Sequence, residues 1–193
     1  MATSLIDLRA DDHEGWQDFT LPGSNRPVRL LRLHADPETK ASVSLVRFPA
    51  DWRRSVTGYY TAAEEFVILD GSIEVVAPHR AGDYVYLPPR TTRVNTNTAG
   101  GALVLAYFSE APKWTEGVAD TPPPSEPVYG RPVGVMRDGA PEVRGSFRAV
   151  DDVPAEPQAI GRDILWLSDH TWEWVPAGGV PVGRGPALVR SWA

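Results

Sequence analysis

Glu64-Glu65-Phe66-Val67-Ile68-Leu69-Asp70-Gly71 (residues 64–71) and Gly82-Asp83-Tyr84-Val85-Tyr86-Leu87-Pro88-Pro89-Arg90-Thr91-Thr92-Arg93-Val94-Asn95-Thr96-Asn97 (residues 82–97) decide how this chain is read. Each is built around a short run of β-branched, aromatic and aliphatic residues bounded by glycine or proline, the composition of a strand. In the first run, alternation puts Glu64, Phe66 and Ile68 on one face and Glu65, Val67 and Leu69 on the other. In the second, Tyr84 and Tyr86 share a face opposite Val85 and Leu87. The residues alone do not say which of those two faces looks inward.

Working outward, further short runs read as strands: Val28–His34, Ser42–Phe48, Ser72–Val76, Ala102–Phe108, Ile164–Leu167 and Ala187–Arg190. Asp36-Pro37-Glu38-Thr39 is a turn with proline at its favoured second position. Asp70-Gly71 is a hairpin signal between Glu65–Leu69 and Ser72–Val76. Thr61-Ala62-Ala63-Glu64-Glu65 resembles a capped helical turn, but the Phe66-Val67-Ile68-Leu69 run that follows pulls it toward strand. Thr121-Pro122-Pro123-Pro124-Ser125-Glu126-Pro127 reads as a linker, stiff and extended at its three consecutive prolines. Many short strands and no sustained helical period predict an all-β, antiparallel sandwich or barrel. The expected division is an N-terminal segment (1–24), a barrel (25–115) and a Pro/Gly-rich extension (116–193) packed on it. Leu45-Val46-Arg47 and Leu188-Val189-Arg190 hint at a repeat, which would make the extension a vestigial second barrel.

The chain has 193 residues and a net charge of −6, which argues against a nucleic-acid partner. No apolar run approaches the roughly 20 residues of a membrane span, so no membrane is expected. The N-terminus has no basic start followed by an apolar stretch, and there is no cysteine. Both fit a cytoplasmic protein, and the second excludes disulfides, thiolate metal sites and cysteine nucleophiles. No phosphate-cradling glycine loop, Ser-His-Asp order or nucleotide fingerprint occurs.

The two opening stretches resemble the paired signature motifs of the cupins. Glu64 is followed by six residues and Gly71, as in the back half of the first motif. Gly82, Pro88 and Asn97 stand where the second motif has Gly, Pro and Asn. The local pattern is similar to the cupin module of zinc-binding anti-sigma factors, and the likeness covers roughly residues 25–110. It implies a jelly-roll β-barrel that often pairs with a second copy, so a homodimer is expected. It also implies a site where imidazoles and one carboxylate hold a divalent metal. Here the family's histidine positions fall at Gly58, Tyr60 and Arg93, and none of His13, His34, His79 and His170 takes a motif place. One carboxylate does not hold a transition metal, so no metal and no cofactor are expected.

If the family geometry holds, Glu64 faces into the barrel, where an unpartnered carboxylate is costly. Arg93 can supply the charge a metal would bring, as a guanidinium donating to Glu64 with Tyr60 beside them. This pair serves either as internal glue or as an acid–base site: Glu64 moving a proton, Tyr60 assisting, Arg93 holding an anionic oxygen. Phe66, Tyr84, Tyr86 and Arg90 are further candidates for contact with a small-molecule ligand in the barrel. Asn97 reads as turn support. Trp166, Trp172 and Trp174 are expected to pack over the barrel or a partner subunit. The function expected is a metal-independent enzyme for dehydration, isomerisation or cyclisation. The alternative is a non-catalytic binding or sensing module, and the missing histidines disfavour a third reading, a metal-dependent dioxygenase.

Overall fold

The computed structural model describes residues 4–140 and 142–192. In chain order the strands are β1 (Ile6–Asp7), β2 (Gln17–Phe19), β3 (Val28–Ala35), β4 (Ser42–Phe48), β5 (Trp52–Arg54), β6 (Gly58–Tyr60), β7 (Glu64–Val75), β8 (Ala77–Arg80) and β9 (Tyr84–Leu87). They continue with β10 (Thr96–Thr98), β11 (Ala102–Phe108), β12 (Trp114–Glu116), β13 (Val128–Gly130), β14 (Val135–Ala140), β15 (Val143–Val150), β16 (Arg162–Trp166), β17 (Thr171–Val175) and β18 (Ala187–Ser191). All pairings between them are antiparallel, in agreement with the all-β expectation.

The chain divides into two compact units, Glu14–Arg131 and a second made of 1–13 with 132–193. The boundaries expected at 25 and 115 therefore lie elsewhere. Strands β12 and β13 belong with the first unit, pairing with β6 and β9. Strand β1 belongs with the second, pairing with β17.

In the first unit the main sheet runs β13-β9-β7-β11-β4-β3-β2, and β5, β8 and β10 form a smaller group reached through β7. Val46, Phe66, Ile68, Val85, Leu87 and Val104 meet in its core. Val85 and Leu87 are thus the inward residues of β9. Trp52 is buried and closes one side, its ring edge-on to Phe48 at 4.8 Å and its indole N–H donating to the Arg26 carbonyl at 3.1 Å.

The hairpin expected at Asp70-Gly71 is absent, because β7 runs through it for twelve residues. The pairing with β11 slips between Leu103 and Val104, and Gly71 sits in the left-handed region at φ 73°. This is a bulge. It reverses the alternation: Phe66 and Ile68 face the core before it, Ile73 and Val75 after it. The extra residue is Leu69, and Gly71, opposite Ala102, continues the ladder where a two-residue turn would have reversed it. The chain turns back only at Val76, into β8. The pull toward strand wins at Thr61–Glu65: Glu64 already belongs to β7.

The second unit is one sheet, β1-β17-β16-β18-β15-β14. Val153, Ile164, Trp166, Val175 and Ala187 form a core within it. Of the three tail tryptophans, Trp166 and Trp172 are buried. Trp166 donates to Glu173, and Trp174 stacks edge-on to Trp192 at 6.1 Å. Glu173 also accepts from the backbone N–H groups of Val182 and Gly183, while His170 bonds Arg9. The two residues are thus engaged separately rather than as a metal pair. Among the described residues no helix is long and apolar enough to cross a membrane.

Candidate functional site

The first unit encloses a cavity of about 80 Å³ lined mostly by apolar side chains, with Arg54, Tyr60, Glu64, Arg93 and Thr96 as its polar lining. It has room for several water molecules. A larger groove of about 460 Å³ shares Leu21, Leu30, Val46, Tyr60, Ala106 and Phe108 with it, so Tyr60 and Phe108 stand where the cavity meets the groove.

Local structure brings these residues together. β6 and the segment carrying Arg93 form a two-way backbone bridge, Gly58 N–H to Arg93 carbonyl at 3.2 Å and the reverse at 2.8 Å. Glu64 opens β7 on the face that also carries Phe66 into the cavity, as alternation predicted. Across the gap Arg93 Nη1 donates to Glu64 Oε2 at 2.5 Å, with Arg93 5% and Glu64 13% exposed. The Arg93 guanidinium lies over the Tyr60 ring at 4.6 Å. The expected trio of Glu64, Arg93 and Tyr60 is therefore assembled at one place. The Tyr60 ring is held edge-on between Phe108 (5.3 Å) and Trp114 (5.1 Å).

Three other expected contacts are corrected. Tyr84 and Tyr86 lie on the outward face of β9, because Val85 and Leu87 take the inward one. Tyr84 donates instead to Glu65 at 2.7 Å, and the Tyr86 hydroxyl faces Ser125 at 3.5 Å. Arg90 takes a left-handed turn conformation (φ 66°), with its guanidinium on the Pro122 carbonyl at 3.4 Å. None of the three lines the cavity. Asn97 bonds Glu74 and the Asn95 carbonyl, which is turn support.

Arg54 was not anticipated. In β5 alternation turns Trp52 and Arg54 inward and Arg53 outward. The Arg54 guanidinium donates to the Tyr60 hydroxyl at 3.1 Å and stacks on Trp114 at 4.0 Å. The signal was the Trp-x-Arg alternation in Trp52-Arg53-Arg54, a run too short to stand out as a strand.

A divalent cation does not fit this cavity. Glu64 is its sole carboxylate and is already matched by Arg93. Among the described residues no three His, Cys, Asp or Glu side chains gather anywhere. Position 58 is also closed to a side chain: a Cβ there would stand 2.3 Å from the Trp114 ring and 2.5 Å from the Thr115 carbonyl oxygen.

His79, on β8, is buried, with its ring against Phe66 and its Nε2 3.1 Å from the Val75 carbonyl. Burial holds its pKa below the ordinary 6.5, opposed by the Val75 bond and the charge of Asp83. The unfolded chain therefore takes up this proton first as pH falls. The neutral ring's contribution is complete above about pH 6.5 and is lost as pH drops from there through the lower folded value. Thermal unfolding of His79→Gln is expected to vary less between pH 7 and 5 than that of the parent. An unchanged pH slope would remove His79 from the account.

No family model and no curated protein matches the chain. Among the solved structures that resemble it, three cover nearly all of this chain. A candidate dioxygenase from Nostoc punctiforme has TM-score 0.70 and 13% identity, covering 98% of this chain and 82% of that one. Protein YlbA from E. coli has 0.62 and 12%, covering 98% and 90%. A candidate glyoxylate-induced protein from Pseudomonas aeruginosa has 0.58 and 12%, covering 98% and 88%. At such identities the likeness speaks for fold, and the fold is a cupin-type jelly roll.

Proposed function

We propose that this chain is a metal-independent cupin-type enzyme whose barrel cavity performs acid–base chemistry on a small polar or anionic molecule. The reading makes Arg93 and Glu64 the replacement for the metal site of other cupins. The 2.5 Å contact between Glu64 and Arg93 inside an otherwise apolar pocket carries this reading. Arg93 orients the carboxylate through one oxygen, so that the other can accept a proton. Tyr60 accepts a hydrogen bond from Arg54, which leaves its own hydroxyl hydrogen to donate. In a dehydration, Glu64 would take the proton next to a carbonyl and Tyr60 would protonate the departing hydroxide, giving water and a double bond. Isomerisation and ring closure use the same two transfers. The occupant of the barrel, on this view, is a small molecule.

The test is proton exchange into deuterated water from short 3-oxo and 3-hydroxy carboxylates, followed by NMR. Glu64→Gln is expected to lower exchange about 100-fold or more, the scale of a general base, while ligand affinity changes little. Equal exchange in the variant ends the proposal. So does a parent activity that a chelator abolishes and a divalent metal restores. A binding or sensing module exchanges nothing in either form.

A further inference from the structure

The three charged side chains lining the cavity are Arg54, Arg93 and Glu64. Glu64 answers Arg93. Among the described residues no carboxylate pairs with Arg54. The residue is 3% exposed, and among the described residues its hydrogen-bond partner is the neutral Tyr60 hydroxyl. Its Nε is buried without an acceptor, and the Nε of Arg93 is in the same condition. The Trp114 ring lies against the guanidinium at 4.0 Å. Such stacking recovers part of what a cation gives up on leaving water, but it offers no acceptor to the N–H groups. A buried cation lacking a counter-charge is costly to a fold. Its retention at a cavity wall is explained if a ligand brings the charge.

We infer that Arg54 anchors a monoanionic, largely apolar small molecule, such as a short-chain carboxylate. The site's charge selects the ligand's charge, since two guanidiniums and one carboxylate leave a single positive charge to neutralise. The orphaned groups are all donors, so the ligand must supply acceptors, and a carboxylate supplies them in the spacing a guanidinium prefers. The remaining wall, including Val28, Phe48, Trp52, Ile73 and Val104, has almost nothing to pair with hydroxyls. A sugar or polyol would leave its own polar groups unmatched there, at a cost that a hydrocarbon chain avoids. Arg54 and Tyr60 are linked, so an anion on Arg54 would lie beside the hydroxyl assigned as proton donor. The inference rests on the reading of this cavity as the site and names what enters it.

The test uses the full chain with pentanoate and its neutral isostere pentanamide, titrated by calorimetry. Pentanoate is expected to bind the parent at least about tenfold tighter than the amide, the worth of one charge-assisted pair. Arg54→Met should remove that preference and leave amide binding within about twofold, and Arg54→Lys should fall between. Without ligand, Arg54→Met should melt several degrees higher, because it deletes an uncompensated buried charge. Equal affinity of the parent for acid and amide overturns the inference, and that comparison needs no variant to fold. Unchanged pentanoate binding in Arg54→Met overturns it as well. Pentanoate held through Arg54 by a protein that exchanges no protons ends the catalytic proposal and leaves this one standing. Exchange with an unchanged KM in Arg54→Met does the reverse.

Discussion

Gly58→His is expected to destabilise the first unit by about 3 kcal/mol and to gain no divalent metal, although it puts a histidine where the motif that the sequence resembles has a ligand. The upper end of the overpacking range applies because the obstacle is rigid. The new Cβ meets the Trp114 ring at 2.3 Å and the Thr115 carbonyl oxygen at 2.5 Å. Trp114 to Glu116 are laddered to Tyr60 to Gly58, so relief requires breaking that short pairing. Trp114 also supports the Tyr60 ring and the Arg54 guanidinium, so moving it disturbs the whole polar wall. Urea unfolding measures the loss, and zinc titration by calorimetry measures the metal. A variant as stable as its parent that binds zinc would mean that sterics do not close this position.

Arg93→Met is expected to cost about 3 kcal/mol, the low end of the range for breaking a buried ion pair from one side. The low end applies because Glu64 keeps 13% exposure and some access to water. Most of the loss comes from leaving that carboxylate desolvated and unmatched, with a smaller share from the contact over Tyr60. Glu64→Leu combined with Arg93→Met should therefore recover most of the stability, and the cycle should return a coupling of at least about 1.5 kcal/mol. Additive effects in urea unfolding would mean that the pair is too well solvated to organise the cavity.

Much of the first unit was legible from residue patterns. Ser42–Phe48 and Ala102–Phe108 match β4 and β11 residue for residue, because both are interior strands rich in aliphatic and aromatic residues. The motif spacing placed positions 58, 60, 64 and 93 in one cluster. What failed has particular causes. Asp70-Gly71 has the chemistry of a tight turn, yet a glycine at positive φ serves a bulge equally well, and only the partner strand decides. Tyr84 and Tyr86 differ from Val85 and Leu87 by half a pleat, and the polar hydroxyl that made them look like site residues instead suits an outer face with Glu65 and Ser125 to meet. Arg54 was hidden because its burial depends on three aromatic rings, from Trp52, Tyr60 and Trp114, that come together only in the folded chain.

The pairing of β1 with β17 has a consequence for how the protein is made. Ile6 meets Trp172 and Asp7 meets Thr171, partners separated by more than 160 residues. On the ribosome β1 must wait for β17. Meanwhile Glu14–Arg131 already holds every partner its own ladders require. Synthesis therefore favours an order in which the first unit closes first and the six-stranded sheet is completed late. Through that interval the residues of β1 travel as an unpaired edge, open to capture by another nascent chain.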